Sequence, residues 1–145
     1  MDVRKAIDTE LKTILSLSSQ AIFDGTLGEV RPTDEKIERL IQPLLEKGSF
    51  YLSATEGDNL LGWILLGSNK DQFTDQVNGF IYELFILKEY RGKGFSKKLM
   101  YAAIIYFKQE GYSEIRLSAR AENPAVKLYE NLGFKTRTVA MSLDL

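Results

Sequence analysis

The sequence predicts one domain of the α/β (α+β) class: a single mixed, largely antiparallel sheet with one parallel βαβ crossover and helices on both faces. Three observations predict it. Two short apolar runs, "FYLSAT" and "LLGWILL", flank the polar turn "EGDN" and read as an antiparallel hairpin. A third run, "FIYELFIL", is followed by an amphipathic stretch and then by "EIRLSA", which gives strand, right-handed crossover helix and parallel strand. Further apolar stripes at helical spacing supply the layers that such a sheet needs on its faces. At 145 residues and 44% hydrophobic, the chain suits one domain spanning residues 1–145, able to bury roughly two-thirds of its unfolded surface.

Taken in order, "VRKA" reads as a short first strand, and Asp8 can cap a helix whose Leu11, Ile14, Leu15 and Ile22 share one face. "FDGTLGEVRP" reads as a loop. Thr33 caps a second helix, with Asp34 and Glu35 in its first turn and a stripe of Ile37, Leu40, Ile41, Leu44 and Leu45 running to Gly48. Pro43 should kink it. The hairpin follows, then the loop "GSNKDQFTDQVNG", then a buried central strand over 80–87 whose only charge is Glu83. Leu99, Ala103, Tyr106 and Phe107 mark the crossover helix, closed by Gly111. Pro124 and Gly133 bracket a short helix, and "KTRTVAMSL" alternates enough for a final strand.

Composition excludes much chemistry. There is no cysteine and no histidine, so disulfides, thiolate nucleophiles, zinc sites of the Cys/His kind and the usual neutral-pH base are absent, and no metal is expected. Lys plus Arg number 19 against 20 Asp plus Glu, a net charge of -1 that gives no global attraction to nucleic acid or an acidic membrane. No run is long and apolar enough to span a bilayer and no signal-type segment opens the chain, so a cytoplasmic location is expected.

Against this neutral background, "EYRGKGFSKKLM" places Arg91, Lys93, Lys97 and Lys98 around a helix start, the wrong end for cations. An anion there would resolve the conflict. Gly92 and Gly94 allow close backbone approach, and successive N–H groups at a helix start can ring a pyrophosphate. The dinucleotide fingerprint would need its third glycine at Lys97, and the Walker pattern needs a Gly-Lys-Ser/Thr run that does not occur. A basic surface loop is the plain alternative.

Arg91-Gly92-Lys93-Gly94-Phe95-Ser96 resembles the acyl-CoA loop of the GNAT acetyltransferase superfamily, Gln/Arg-x-x-Gly-x-Gly/Ala, with Ser96 in place of the last small residue. "NPAVKLYENLGF" resembles the same superfamily's second signature, with Asn123, Tyr129, Gly133 and Phe134 in matching places; Asn123 precedes Tyr129 by six residues rather than seven, and Glu122 holds the seventh position. Together the two signatures cover roughly residues 80–135. The resemblance implies a GNAT-like fold, acetyl-CoA as cosubstrate, and backbone groups of Phe85 and Ile86 freed by a splayed strand to pair with the pantetheine amides. Residues 91–96 and Asn123 would complete the coenzyme site. It also implies N-acetyl transfer to an amine of a small molecule or a peptide, with Tyr129 protonating the leaving sulfur.

Without cysteine an acetyl-enzyme thioester cannot form, so direct transfer in a ternary complex is expected. Two candidates remain for the base: Glu83, whose direction strand alternation leaves undetermined, and a water chain. A non-catalytic coenzyme A-binding module is the rival reading of the whole chain, packing is the rival role for Tyr129, and homodimerisation is left open.

Overall fold

The computed structural model describes all 145 residues. The chain runs β1 (Asp2–Lys5), α1 (Asp8–Gly25), α2 (Asp34–Glu46), β2 (Phe50–Glu56), β3 (Asn59–Lys70), β4 (Val77–Ile86), a single 3₁₀ turn (Lys88–Tyr90), α3 (Phe95–Gln109), β5 (Ile115–Leu117) and α4 (Ala125–Asn131). Five strands form one sheet in the order β1-β2-β3-β4-β5. Every pairing is antiparallel except β4 with β5, which is parallel and crossed over by α3. The mixed sheet with its one crossover is therefore as the sequence predicts.

Local chemistry fixes the helix starts. The Thr33 hydroxyl accepts from the Lys36 N–H at 3.2 Å and begins α2. For α1 the cap is not Asp8: the Glu10 carboxylate reaches back to the Ile7 N–H at 3.0 Å, while holding both Arg4 guanidinium nitrogens at 2.9 Å. This satisfies an orphan donor from inside the first turn. Pro43 sits in the last turn of α2, and the helix runs past it to Glu46.

The sheet divides two apolar layers. On one face Leu99, Met100, Ala103 and Phe107 of α3 pack on Ile64, Leu66, Ile81 and Ile86; on the other, Ile14 and Ala21 of α1 and Ile37 and Ile41 of α2 pack on Tyr51, Trp63, Leu65 and Phe85. Helices thus cover both faces, α4 joining the α3 side through Leu128, Tyr129 and Leu132. At Gly79 a Cβ would stand 2.6 Å from the Phe107 ring, so the closeness of α3 to β4 requires glycine there.

Three expected segments differ. Helix α1 absorbs Phe23, Asp24 and Gly25 from the predicted loop, because Ala21 and Ile22 continue its buried face. Strands β3 and β4 take both ends of "GSNKDQFTDQVNG", leaving a turn over 71–76 in which the Asp71 carboxylate accepts from the N–H groups of Phe73 and Thr74. The predicted last strand does not form. Residues 135–145 have no ladder partner, and Val139, Met141, Leu143 and Leu145 stand exposed; alternation specifies which side chains would share a face but supplies no neighbour to bond.

Candidate active site

The parallel ladder between β4 and β5 is only three pairs long, Gly79 with Ile115, Phe80 with Arg116 and Ile81 with Leu117. Beyond Ile81, β4 continues to Ile86 bonded only to β3. The two strands part there, and a cleft of about 370 Å³ opens between them, lined by Tyr82, Glu83 and Leu84 from β4, Ser118 and Arg120 after β5, and Asn123 and Tyr129. The splay expected around Phe85 and Ile86 is present, and it starts earlier, at Tyr82.

Which backbone groups the splay frees follows from the β3 ladder. Leu87 N–H donates to the Leu61 carbonyl at 2.9 Å, and antiparallel alternation then turns the polar groups of Leu84 and Ile86 away from β3, toward the β5 side. Phe85 faces Trp63 across the ladder, its ring 4.8 Å from the indole and 5.1 Å below the Arg91 guanidinium. Of the expected pair, Phe85 is thus engaged with β3. The Ile86 carbonyl is also in use, accepting from Arg91 Nε at 2.8 Å, which leaves one of its two lone pairs.

The direction of Glu83 is decided by a bulge. Pairing of β3 with β4 slips between Leu65 and Leu66, so Leu65 faces Glu83 and Leu66 faces Ile81, with Tyr82 extra. Ile81 packs on the α3 side; after the extra residue Tyr82 and Phe85 both pack on the α1/α2 side, and Glu83 takes the side of Trp63. There the Trp63 indole N–H donates to Glu83 Oε1 in a short hydrogen bond. Burial pushes the Glu83 carboxyl above its ordinary range, and the indole N–H partly offsets this.

Tyr129 enters the same cleft from α4. Its ring packs edge-on to Phe134 at 6.1 Å, and the backbone carbonyl of Tyr129 accepts from Leu132 and Phe134 to end the helix. Burial raises its phenol above the usual value, so it stays protonated at neutral pH. Asn123 also borders the cleft: its Oδ1 accepts from the Ala125 N–H at 2.9 Å and its Nδ2 donates to the Gly25 carbonyl at 3.4 Å. This side chain starts α4 and ties it to α1.

At the predicted phosphate loop, Gly92 and Gly94 adopt left-handed backbone with φ of 79° and 81°. No side chain caps α3 and no acid lies in its first turn, whereas α1 and α2 have both. Lys93, Lys97 and Lys98 enter no ion pair, and Lys97 and Lys98 lie instead near the Tyr101 and Phe95 rings. Uncapped N–H groups among unpaired cations fit a pyrophosphate. Arg91 is spent differently: its guanidinium pairs with Asp24 of α1 at 2.8 Å.

Sequence reasoning missed three contacts: Trp63 with Glu83, Asp24 with Arg91, and Arg120 with Glu29 at 2.9 Å beside the cleft. Each joins residues 20 to 91 positions apart. A single Trp at the centre of a predicted strand was the only signal available.

The family model for Acetyltransferase (GNAT) family matches residues 16–134. Over 97 residues the chain is 33% identical to an uncharacterized N-acetyltransferase, YokL, from a prophage of Bacillus subtilis, covering 65% of this chain and 52% of that protein. It is 35% identical over 86 residues to N-alpha-acetyltransferase 30 of Schizosaccharomyces pombe, covering 59% and 57%. The chain therefore spans a little over half the length of these relatives. A solved structure from Pyrococcus furiosus, described as an acetyl transferase, superposes with a TM-score of 0.83 at 25% identity over 99% of both chains. No helix is long and apolar enough to cross a membrane.

Proposed function

Since the chain belongs to the GNAT acetyltransferase family, we propose that it moves the acetyl group of acetyl-CoA directly to an amine, with Glu83 as base and Tyr129 as acid. The observation that carries the reading is that Glu83 and Tyr129 both line one cleft at the point where β4 leaves β5. The coenzyme's thioester supplies an already activated acetyl group. Gly92, Gly94 and the start of α3 hold its pyrophosphate, and Leu84 and Ile86 offer the backbone groups for its pantetheine arm.

Glu83 takes the proton that the amine loses as its nitrogen bonds to the carbonyl carbon. A carboxyl raised by burial suits that role, because a base is most effective when its pKa approaches the working pH. Tyr129 gives its phenolic proton to the sulfur as the carbon–sulfur bond breaks. The phenol is kept protonated by its raised pKa, as a donor must be, and the indole N–H favours the ionised form of the Glu83 carboxyl against the burial that raises it.

Among amines, we propose the α-amine of a peptide or protein N-terminus as acceptor, on the ground that the Schizosaccharomyces pombe relative carries the name of an Nα-acetyltransferase. The test is release of free thiol from acetyl-CoA over a panel of N-terminal peptides, polyamines, aminoglycosides and free amino acids. Turnover highest on the peptides is expected. Turnover confined to another class would overturn the acceptor, and tight coenzyme binding with no turnover on any amine would overturn the enzyme reading.

A further inference from the structure

Glu83 is partly buried, and a carboxylate drawn out of water is costly unless something donates to it. Its environment contains one such donor, the Trp63 indole N–H on Oε1. Tyr51, Leu65 and Glu83 lie in one row across β2, β3 and β4, but the Tyr51 hydroxyl is buried without a partner and does not share the carboxylate. Trp63 itself is fully buried and clamped by the Phe85 ring at 4.8 Å. A rigid indole on the neighbouring strand thus grips one oxygen, while Glu83 as a residue borders the cleft.

We propose that Trp63 is a positioning residue for acetyl transfer, fixing one oxygen of Glu83 so that the other faces the acceptor amine. The inference rests on the reading of Glu83 as base. It explains why a Trp occupies a sheet-centre position where an aliphatic side chain would pack as well, since Trp offers an N–H that Phe or Leu lacks. It also gives the bulge at Tyr82 a purpose, because unbroken alternation from Ile81 would turn Glu83 to the α3 side, away from the indole.

Charged and titratable groups around the carboxylate are Tyr51 from β2, Tyr82 on its own strand, and Tyr129 and Arg120 across the cleft; α1 lines it with Ala21 and Ile22, which do not titrate. Burial raises the tyrosines further above their ordinary range, so they stay protonated at neutral pH, and Glu83, raised from the carboxylate range by its own burial, is the group whose ionisation the indole would report.

Trp63 is the only tryptophan in the chain, so its fluorescence reports this contact with no label and no turnover. In the wild-type protein the emission is expected to titrate with an inflection above the ordinary carboxylate range, and Glu83→Gln, which keeps an acceptor for the indole, should abolish it. Trp63→Phe removes the donor. Loss of a hydrogen bond to the charged form raises the carboxyl pKa, so the acidic limb of the rate profile should move up by about one to two pH units, with turnover on that limb falling roughly tenfold or more and the KM for acetyl-CoA unchanged. A fluorescence profile without the Glu83-dependent inflection overturns the proposal, as does a Trp63→Phe enzyme with an unshifted limb. Full turnover by Glu83→Gln would have a different signature: it would remove Glu83 as base, and with it the catalytic purpose of the contact, while leaving the wild-type inflection in place.

Discussion

Gly94 is where conformation and charge in the proposed coenzyme loop can be separated. Its φ of 81° lies in the left-handed region, and a Cβ built there meets nothing within 4 Å. Gly94→Ala therefore suffers no clash, only the left-handed penalty of about 1–2 kcal/mol, which for a chain of this size lowers the Tm by roughly 3–8 °C. Gly94→Glu carries the same penalty and adds a carboxylate at the helix start. At about 5 Å from a phosphate charge with an effective dielectric near 20, the repulsion is about 3 kcal/mol, a weakening of roughly a hundredfold in Kd. The assay is calorimetric titration with acetyl-CoA for wild type and both variants, each checked for folding by thermal melt. Alanine calibrates the backbone effect, so the difference between the two substitutions isolates the charge. A folded Gly94→Glu protein that binds acetyl-CoA within a few-fold of Gly94→Ala would refute the placement of the pyrophosphate at this loop.

Two further outcomes are expected. Tyr129→Phe should lower kcat by roughly 10²–10⁴-fold while leaving coenzyme Kd and Tm almost unchanged, because the ring keeps its contact with Phe134 and only the proton donor is lost; near-normal turnover would reduce Tyr129 to packing. Glu83→Gln should melt higher than wild type at neutral pH while losing activity. The Glu83 carboxyl holds its proton more tightly folded than unfolded, so its penalty is absent below the ordinary carboxylate range, sets in as pH rises through that range, and is complete once pH passes the raised folded value. The Tm gap between variant and wild type should accordingly open over that window, as read by melts across a pH series, and a gap of constant size would contradict it.

Much of this fold was legible because its signals are local. Thr33 three residues before the N–H it caps, the "EGDN" turn between apolar runs, and the stripe of α3 each need only neighbours in sequence. The boundaries that moved are those set by remote partners. Helix α1 runs on to Gly25 because Ala21 packs against strands far along the chain, and the last eleven residues carry a strand pattern with no strand to meet. Pattern measures a face; a ladder needs a second chain segment.

The same division runs through the site. Gly92 and Gly94 announce themselves because their role is backbone geometry within a single turn, and Tyr129 because it sits in a compact signature. Glu83 could be named but not aimed. Its orientation depends on one register slip between Leu65 and Leu66, and period-two alternation counted from Ile81 assigns it to the wrong face. Arg91 illustrates the converse: its motif suggests an anion ligand, yet its guanidinium bridges the Ile86 carbonyl and Asp24 of α1, 67 residues away. In this chain the motif arginine joins the glycine loop to the helix that walls the cleft, and in the proposed coenzyme site the anion would be left to the uncapped N–H groups and unpaired lysines beside it. Removing Asp24 would then disturb the cleft wall before it disturbed the loop's charge, since Lys93, Lys97 and Lys98 do not depend on it.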